Sequence, residues 1–468
     1  MSPIRFTAPL VALGLAVQAW AAPELAPLFK DHAVLQCDRP VPVWGVASPG
    51  EHVSVSFAGQ SVGTTAGPDG RWVTILAPLS ASPVGSDLTV SAKEVVIVHD
   101  VLVGEVWLCA GQSNMEFPVN DSGVRVDNAA AEVASARFPL IRQFKESHQA
   151  ALAPQYAVGG DWKVCSPDTA GGFTALGYFF ARDIFSRLGV PVGIINCTWA
   201  STPIESWMSP AAMAAFPGYS NGHSVLSSSA VREDPWVPTS VFNGMVHPLL
   251  PYSIRGILWS QGESNIGRAG TYARQFPELI SSWRSHFGQG ELPFLWVQLA
   301  NFKAPPDGRG ELLPLLREAQ AKALALPGTG QAVSIDIGDP ANINPRNKQE
   351  VARRLALIAK AKVYGLTVDY SGPAFDRADV EGQAIRVHFR FTGEGITASG
   401  KPLQSFEVAG PDRVFHPAKA VIQGTTLVVQ SPLVRQPVAV RYAWRNSPEA
   451  NLFSGAGLPA APFRSDDW

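Results

Sequence analysis

Cysteine is scarce, positive charge is nowhere concentrated, and beyond the N-terminus no long apolar run occurs. Four cysteines in 468 residues (Cys37, Cys109, Cys165 and Cys197) cannot staple a chain of this size. No pair has C-x-x-C spacing and no histidine stands at metal-ligand spacing from any of them, so a zinc site built on thiolates is excluded. Cys109 and Cys197 close apolar segments, where a thiol serves as a small hydrophobe. Lys plus Arg total 37 against 39 for Asp plus Glu, a net charge of -2. Without a basic patch, nucleic acid is not an expected partner. No segment after the N-terminus offers the roughly 20 uninterrupted apolar residues of a membrane span.

What is present describes a globular, exported chain. Hydrophobic residues make up 46 % and charged residues 16 %, values of a packed protein rather than a disordered one. The length calls for two or three domains. Arg5, an apolar run over residues 8–17 and the small-x-small pattern Ala19-Trp20-Ala21 read as a secretory signal peptide over residues 1–21. Export to the periplasm or the extracellular medium follows as an expectation.

Residues 22–100 alternate in the manner of half-buried strands, as in Val53, Val55 and Phe57. Asp69-Gly70 is a hairpin signal ahead of a strand over 72–76, and a small β-sandwich is expected. From residue 101 the pattern changes. Apolar strands over 103–109, 192–197, 254–259, 294–299 and 333–337 alternate with helical segments over 176–188, 272–287, 312–326 and 348–363. That alternation predicts an α/β domain over 101–365, a three-layer α/β/α arrangement around a parallel sheet. Residues 366–468 return to short strands, such as 385–391, 427–429 and 438–442, and form a C-terminal β domain.

In a parallel sheet the reactive groups gather at the carboxyl ends of the strands. Three polar segments sit there. The first is Gly111-Gln112-Ser113-Asn114-Met115, where Ser113 offers a nucleophile and its own backbone N–H can face an oxyanion. It is not the G-x-S-x-G elbow, and alone it reads better as a polar turn. The second, Thr198-Trp199-Ala200-Ser201, supplies a further N–H from Ala200 or Ser201, or is a plain connection. Trp207 beyond it is a candidate sugar platform. In the third, Gln261-Gly262-Glu263-Ser264-Asn265, Gln261 could donate to the oxyanion, Glu263 could orient a base and Asn265 could hold a sugar hydroxyl. The same segment also reads as a helix entry capped by Ser264 or Asn265.

The string from Gly104 to Glu116, reading GEVWLCAGQSNME, resembles the nucleophile block of the sialate O-acetylesterases, bacterial and animal members of the SGNH (GDSL-like) hydrolase superfamily. The segment from Ile257 to Asn265, ILWSQGESN, resembles their third block. The likeness continues through Asp336-Ile337-Gly338-Asp339-Pro340 and Asn347-Lys348-Gln349-Glu350 and into both β ends. It implies an SGNH-type fold, removal of O-acetyl groups from sialic acid or a related glycan, and no metal or organic cofactor. It also implies Ser113 as nucleophile, with oxyanion donors from the Ser113 N–H, the second block and Gln261. An acetylated plant polysaccharide is an alternative substrate.

Two positions depart from the family pattern. Ala200-Ser201 stands where Gly-Gly is usual, which is harmless only if the turn does not need φ > 0. Asn344 stands where many members carry the catalytic histidine, and an amide cannot take a proton from Ser113 near neutral pH. His247 is then the first candidate base, with His223 and His148 more remote. Asp339, Asp336 or Glu263 could assist the serine directly. A third outcome is a protein that binds acetylated glycan without cleaving it, Asn344 included among its contacts.

Overall fold

A computed structural model describes residues 23–123, 126–217, 234–304, 310–398 and 400–468. The expected signal peptide and His223 lie outside the described residues.

The central sheet has the alternation the sequence shows. Its strands are β1 (Val95–Gly111), β2 (Phe138–Glu146), β3 (Gly160–Cys165), β4 (Val192–Thr198), β5 (Gly256–Ser260), β6 (Phe294–Val297) and β7 (Thr329–Ala332). Their order across the sheet is β3-β2-β4-β1-β5-β6-β7. All neighbours are parallel except β3, which runs antiparallel to β2 at the edge. β4 and β5 are buried along their whole length, because helices cover both faces. On one face, α1 (Ala175–Leu188) and α4 (Lys348–Lys362) pack Leu176, Phe180, Ile184 and Leu355 against Cys109, Ile194 and Leu258. On the other, α2 (Ala269–Phe287) and α3 (Leu312–Lys322) pack Phe276, Trp283 and Leu316 against Leu108, Trp259 and Trp296. Neighbouring residues such as Leu258 and Trp259 enter opposite cores, as the two-residue period of a strand requires. All four cysteines are free and buried.

The last parallel strand lies earlier than expected. It spans Thr329–Ala332, and residues 333–337 instead turn across the carboxyl edge. The cause is closeness to α4: a Cβ at Gly330 would sit 2.3 Å from the Ile358 side chain. A strand pressed this tightly uses small residues, so it carries none of the branched signal that strand prediction relies on.

β1 is 17 residues long and belongs to two structures at once. Its first half pairs with Ser82–Ser91 and with Val34–Gln36 of the N-terminal β region, and its second half lies between β4 and β5. Val53, Val55, Phe57, Trp72 and Leu76 fill that N-terminal core at alternate positions. At the other end of the chain, strands Ala374–Glu381, Ala384–Arg390, Lys419–Gln423 and Thr426–Gln430 form one four-stranded sheet. Phe406–Ala409, Phe415–Pro417, Ala439–Tyr442 and Phe463–Arg464 form another. Their shared core holds Ile385, Val387, Leu427, Val408 and Tyr442. Among the described residues, no helix is long and apolar enough to cross a membrane.

Candidate active site

Three strand ends are stitched together around Gly111. Its carbonyl accepts the Trp199 N–H (3.0 Å) from the end of β4, and the Gln112 N–H donates to the Ser260 carbonyl (2.9 Å) at the end of β5. The chain then turns into a one-turn helix, Ser113–Glu116, with the Met115 and Glu116 N–H groups both donating to the Gln112 carbonyl. Ser113 is the first residue of that turn, where a backbone N–H has no acceptor within the helix. It is half-buried, and its Oγ donates to Asn344 Oδ1 at 3.0 Å. The loop bearing Asn344 is held by its own Asn342, whose Oδ1 accepts the Asn344 N–H (2.9 Å).

Glu263 lies directly beneath the serine. Its two carboxylate oxygens take the side-chain amides on either side of Ser113: Gln112 Nε2 at 2.7 Å and Asn114 Nδ2 at 2.6 Å. Burial pushes its carboxyl above the ordinary value, against those hydrogen bonds and the nearby Lys348 charge. Glu263 therefore neither orients a base nor touches Ser113; it holds the turn that carries the serine.

The second block meets the serine turn through Glu116. Glu116 Oε2 accepts the Ala200 N–H at 2.5 Å, and Oε1 pairs with His148 Nε2 at 2.8 Å. His148 in turn stacks flat on Trp199, with ring centroids 4.4 Å apart. One of the two N–H groups expected for the oxyanion is thus occupied by a carboxylate, which leaves Ser201 as the exposed donor of that block. Ser201 has φ +63°, so this turn does need the left-handed conformation that glycine adopts freely. Holding a serine there costs about 1–2 kcal/mol. Ser201→Gly should raise the unfolding free energy by about 0.5–1 kcal/mol, after the entropy that glycine adds to the unfolded chain. A lower urea midpoint in that variant would mean that the Ser201 side chain makes a compensating contact.

Several expected site residues lie elsewhere. Gln261 is fully buried; its amide donates to Asn265 Oδ1 (2.7 Å) and the Thr202 carbonyl (3.2 Å), and its oxygen accepts the Tyr272 hydroxyl (3.1 Å). With both donors engaged inside the core, it does not face an oxyanion. Asn265 is buried too: it accepts the Ile204 N–H (2.9 Å) and donates to Glu205 (3.0 Å), so no group is left for a sugar hydroxyl. Trp207 is a core residue, edge-on to Trp259 with its Nε1 donating to Thr202 Oγ1 (2.8 Å). These residues fasten the second block to the third instead of touching substrate.

Nor is His247 a base for Ser113. Its Nδ1 bonds the Gln155 carbonyl (2.7 Å), and its ring meets Tyr156, which carries the Arg71 guanidinium of the N-terminal β region. Its ring nitrogen and its face are thus both committed to the connection between β2 and β3. Asp339 Oδ1 accepts the Ala341 N–H (2.8 Å) and closes a turn with Asn342. Asp336 is clamped by Arg354 at 2.6 and 2.8 Å. Neither carboxylate is directed at the serine. Among the described residues, His148 is the histidine that contacts the serine turn, through Glu116, and in sequence it carries no mark beyond an ordinary surface residue. Gln112, Asn114, Glu116 and Lys348 also belong to the site. In sequence the first three stand in the block around Ser113 and Lys348 in the Asn347–Glu350 segment, but neither segment shows what these side chains do.

Residues 103–356 match the family described as "Carbohydrate esterase, sialic acid-specific acetylesterase". The chain belongs to this family. The human sialate O-acetylesterase is 30 % identical, across 90 % of this chain and 88 % of that protein. The orangutan (Pongo abelii) sialate O-acetylesterase shows the same identity and coverage. Among solved structures, a carbohydrate acetylesterase from Xanthomonas citri superposes with a TM-score of 0.88 at 43 % identity, covering 96 % of this chain and 100 % of the other. As a member of the sialic acid-specific acetylesterase family, the chain is a carbohydrate esterase. Within that family pattern, the Ser113–Asn344 contact stands where a serine–histidine pair is expected.

Proposed function

We propose that the chain removes O-acetyl groups from a sugar by acyl transfer to Ser113. The observation that carries this reading is the Ser113 hydroxyl at the carboxyl end of the central strand, held at 3.0 Å from Asn344 on the opposite loop. Ser113 Oγ attacks the acetyl carbonyl, and the N–H groups of Ser113 and Ser201 face the developing oxyanion. The sugar alcohol leaves with a proton, and water releases acetate from the serine ester. A cleft of about 750 Å³ opens beside the same helix, lined by Glu116, His148, Lys145, Lys163, Asp168 and Phe173, and gives the sugar room.

Sialic acid is the first substrate to test, because the relatives named above are sialate O-acetylesterases. An acetylated plant polysaccharide is the second; the amide at position 344 is the one observation that points to slow turnover. The N-terminal residues 1–21 support export, so the substrate would be met outside the cytoplasm. Acetate release is measured from O-acetylated sialic acid and from acetylated xylan, alongside labelling with a fluorophosphonate. The expected result is slow release from one substrate class and a label on Ser113. Binding of the acetylated sugar with neither release nor label would leave the non-catalytic reading.

A further inference from the structure

Lys348 has no place in the chemistry described above, and its position is costly. It is the first residue of α4, 2 % exposed, at the helix end where a positive charge is least favoured. A lysine is almost never buried without a partner of opposite charge in contact. Here its Nζ donates to a neutral oxygen, Asn114 Oδ1, at 2.6 Å. Burial pulls its ammonium down to about 7, and the Glu263 charge acts in the opposite sense.

Asn114 links everything near the serine. One amide hydrogen goes to Glu263 Oε1 (2.6 Å) and the other to the Ile343 carbonyl (3.2 Å), while its oxygen takes Lys348. Ile343 directly precedes Asn344, the partner of the Ser113 hydroxyl. A single side chain therefore sets the serine turn against both the carboxylate below it and the loop across from it. Its amide cannot turn over, because Lys348 requires an acceptor on one side and Glu263 a donor on the other.

We propose that Lys348 is a positioning residue: through Asn114 it locks the serine turn and the Asn344 loop into one register. This rests on Ser113 being the nucleophile only for its effect on rate; the mechanical link stands apart from it. The energetic sense is that of a functional site, where an awkwardly placed charge is kept for the geometry it imposes.

Lys348→Met tests the proposal. Methionine has a similar length, but it leaves Asn114 Oδ1 without its donor and the Glu263 carboxylate without its nearby cation, so some stability is lost with it. Thermal unfolding, steady-state kinetics on p-nitrophenyl acetate and amide hydrogen exchange are measured on the full chain. The expected result is a modestly lower Tm with faster exchange confined to 112–117 and 340–346. With a misplacement of up to an ångström, kcat should fall by roughly ten- to a hundred-fold while KM stays within about two-fold. Unchanged exchange in the two segments overturns the link. So does a fall in kcat matched by a lower Tm and faster exchange throughout, which marks a merely structural lysine. Coupled exchange in a protein that shows no turnover even as wild type would keep the link and reject the Ser113 reading.

Discussion

Replacing Asn344 by histidine should raise kcat/KM on p-nitrophenyl acetate by about 10²-fold or more, since a positioned general base contributes roughly 10²–10⁴. The argument is one of proton affinity. Asn344 Oδ1 already accepts the Ser113 hydroxyl at 3.0 Å, so the loop delivers a side chain of the right reach to the right atom. An amide oxygen orients that hydroxyl but does not keep its proton when the oxygen attacks. A neutral imidazole does, and its ordinary pKa is about 6.5. The variant should therefore gain activity as pH rises through that region, because only the unprotonated ring can act as base. Asn344→Ala in the same assay separates a new base from a mere opening of the site. Fluorophosphonate labelling of Ser113 should quicken in parallel in the histidine variant. If neither rate changes, the Asn344 loop is not where this site takes up its proton.

The same contact shows where sequence reading works and where it stops. Alternation of apolar strands with amphipathic helices fixes the layer order, because burial on both faces leaves a continuous signal, as in Val192–Thr198. The strand at Thr329–Ala332 breaks that signal only because Ile358 of α4 presses on Gly330. Strand ends are equally legible: Gly111, Thr198 and Ser260 meet, and the serine follows one of them. What a polar residue does at such an end is not legible. Gln261, Glu263 and Asn265 occupy five consecutive positions with Gly262 and Ser264, yet one clamps the serine turn while the other two are spent inside the core. Trp207 resembles a sugar platform in sequence, but its helix turns it toward Trp259. His247 fails because its Nδ1 is taken by the Gln155 carbonyl and its ring by Tyr156. In a parallel sheet the residues that follow a strand reach the chemistry. His148 follows β2 directly, and the same rule places it at the carboxyl end beside Glu116.

Gly111→Ala is expected to lower both stability and turnover, the second by more than a loss of folded protein accounts for. A Cβ there would lie 2.2 Å from the Ser260 carbonyl oxygen, a backbone atom fixed in the middle of the sheet. The residue also has φ +129°, a conformation that side chains avoid. Overpacking costs about 1–3 kcal/mol and a strained backbone about as much again, so a loss of roughly 2–6 kcal/mol in unfolding free energy is expected. The alternative to unfolding is for β1 and β5 to part by about an ångström at their carboxyl ends. That movement cannot be local. The Gln112 N–H bonds the Ser260 carbonyl, and Glu263 reaches from just past Ser260 to both neighbours of Ser113. Parting the strands therefore shifts the serine against its loops, and an ångström of misplacement is worth about 10²-fold in turnover. Urea unfolding and acetate release at a temperature well below Tm separate the two effects. A variant that is less stable but fully active would mean that the serine turn is held from the Asn344 side alone, and that its attachment to β5 contributes nothing to catalysis.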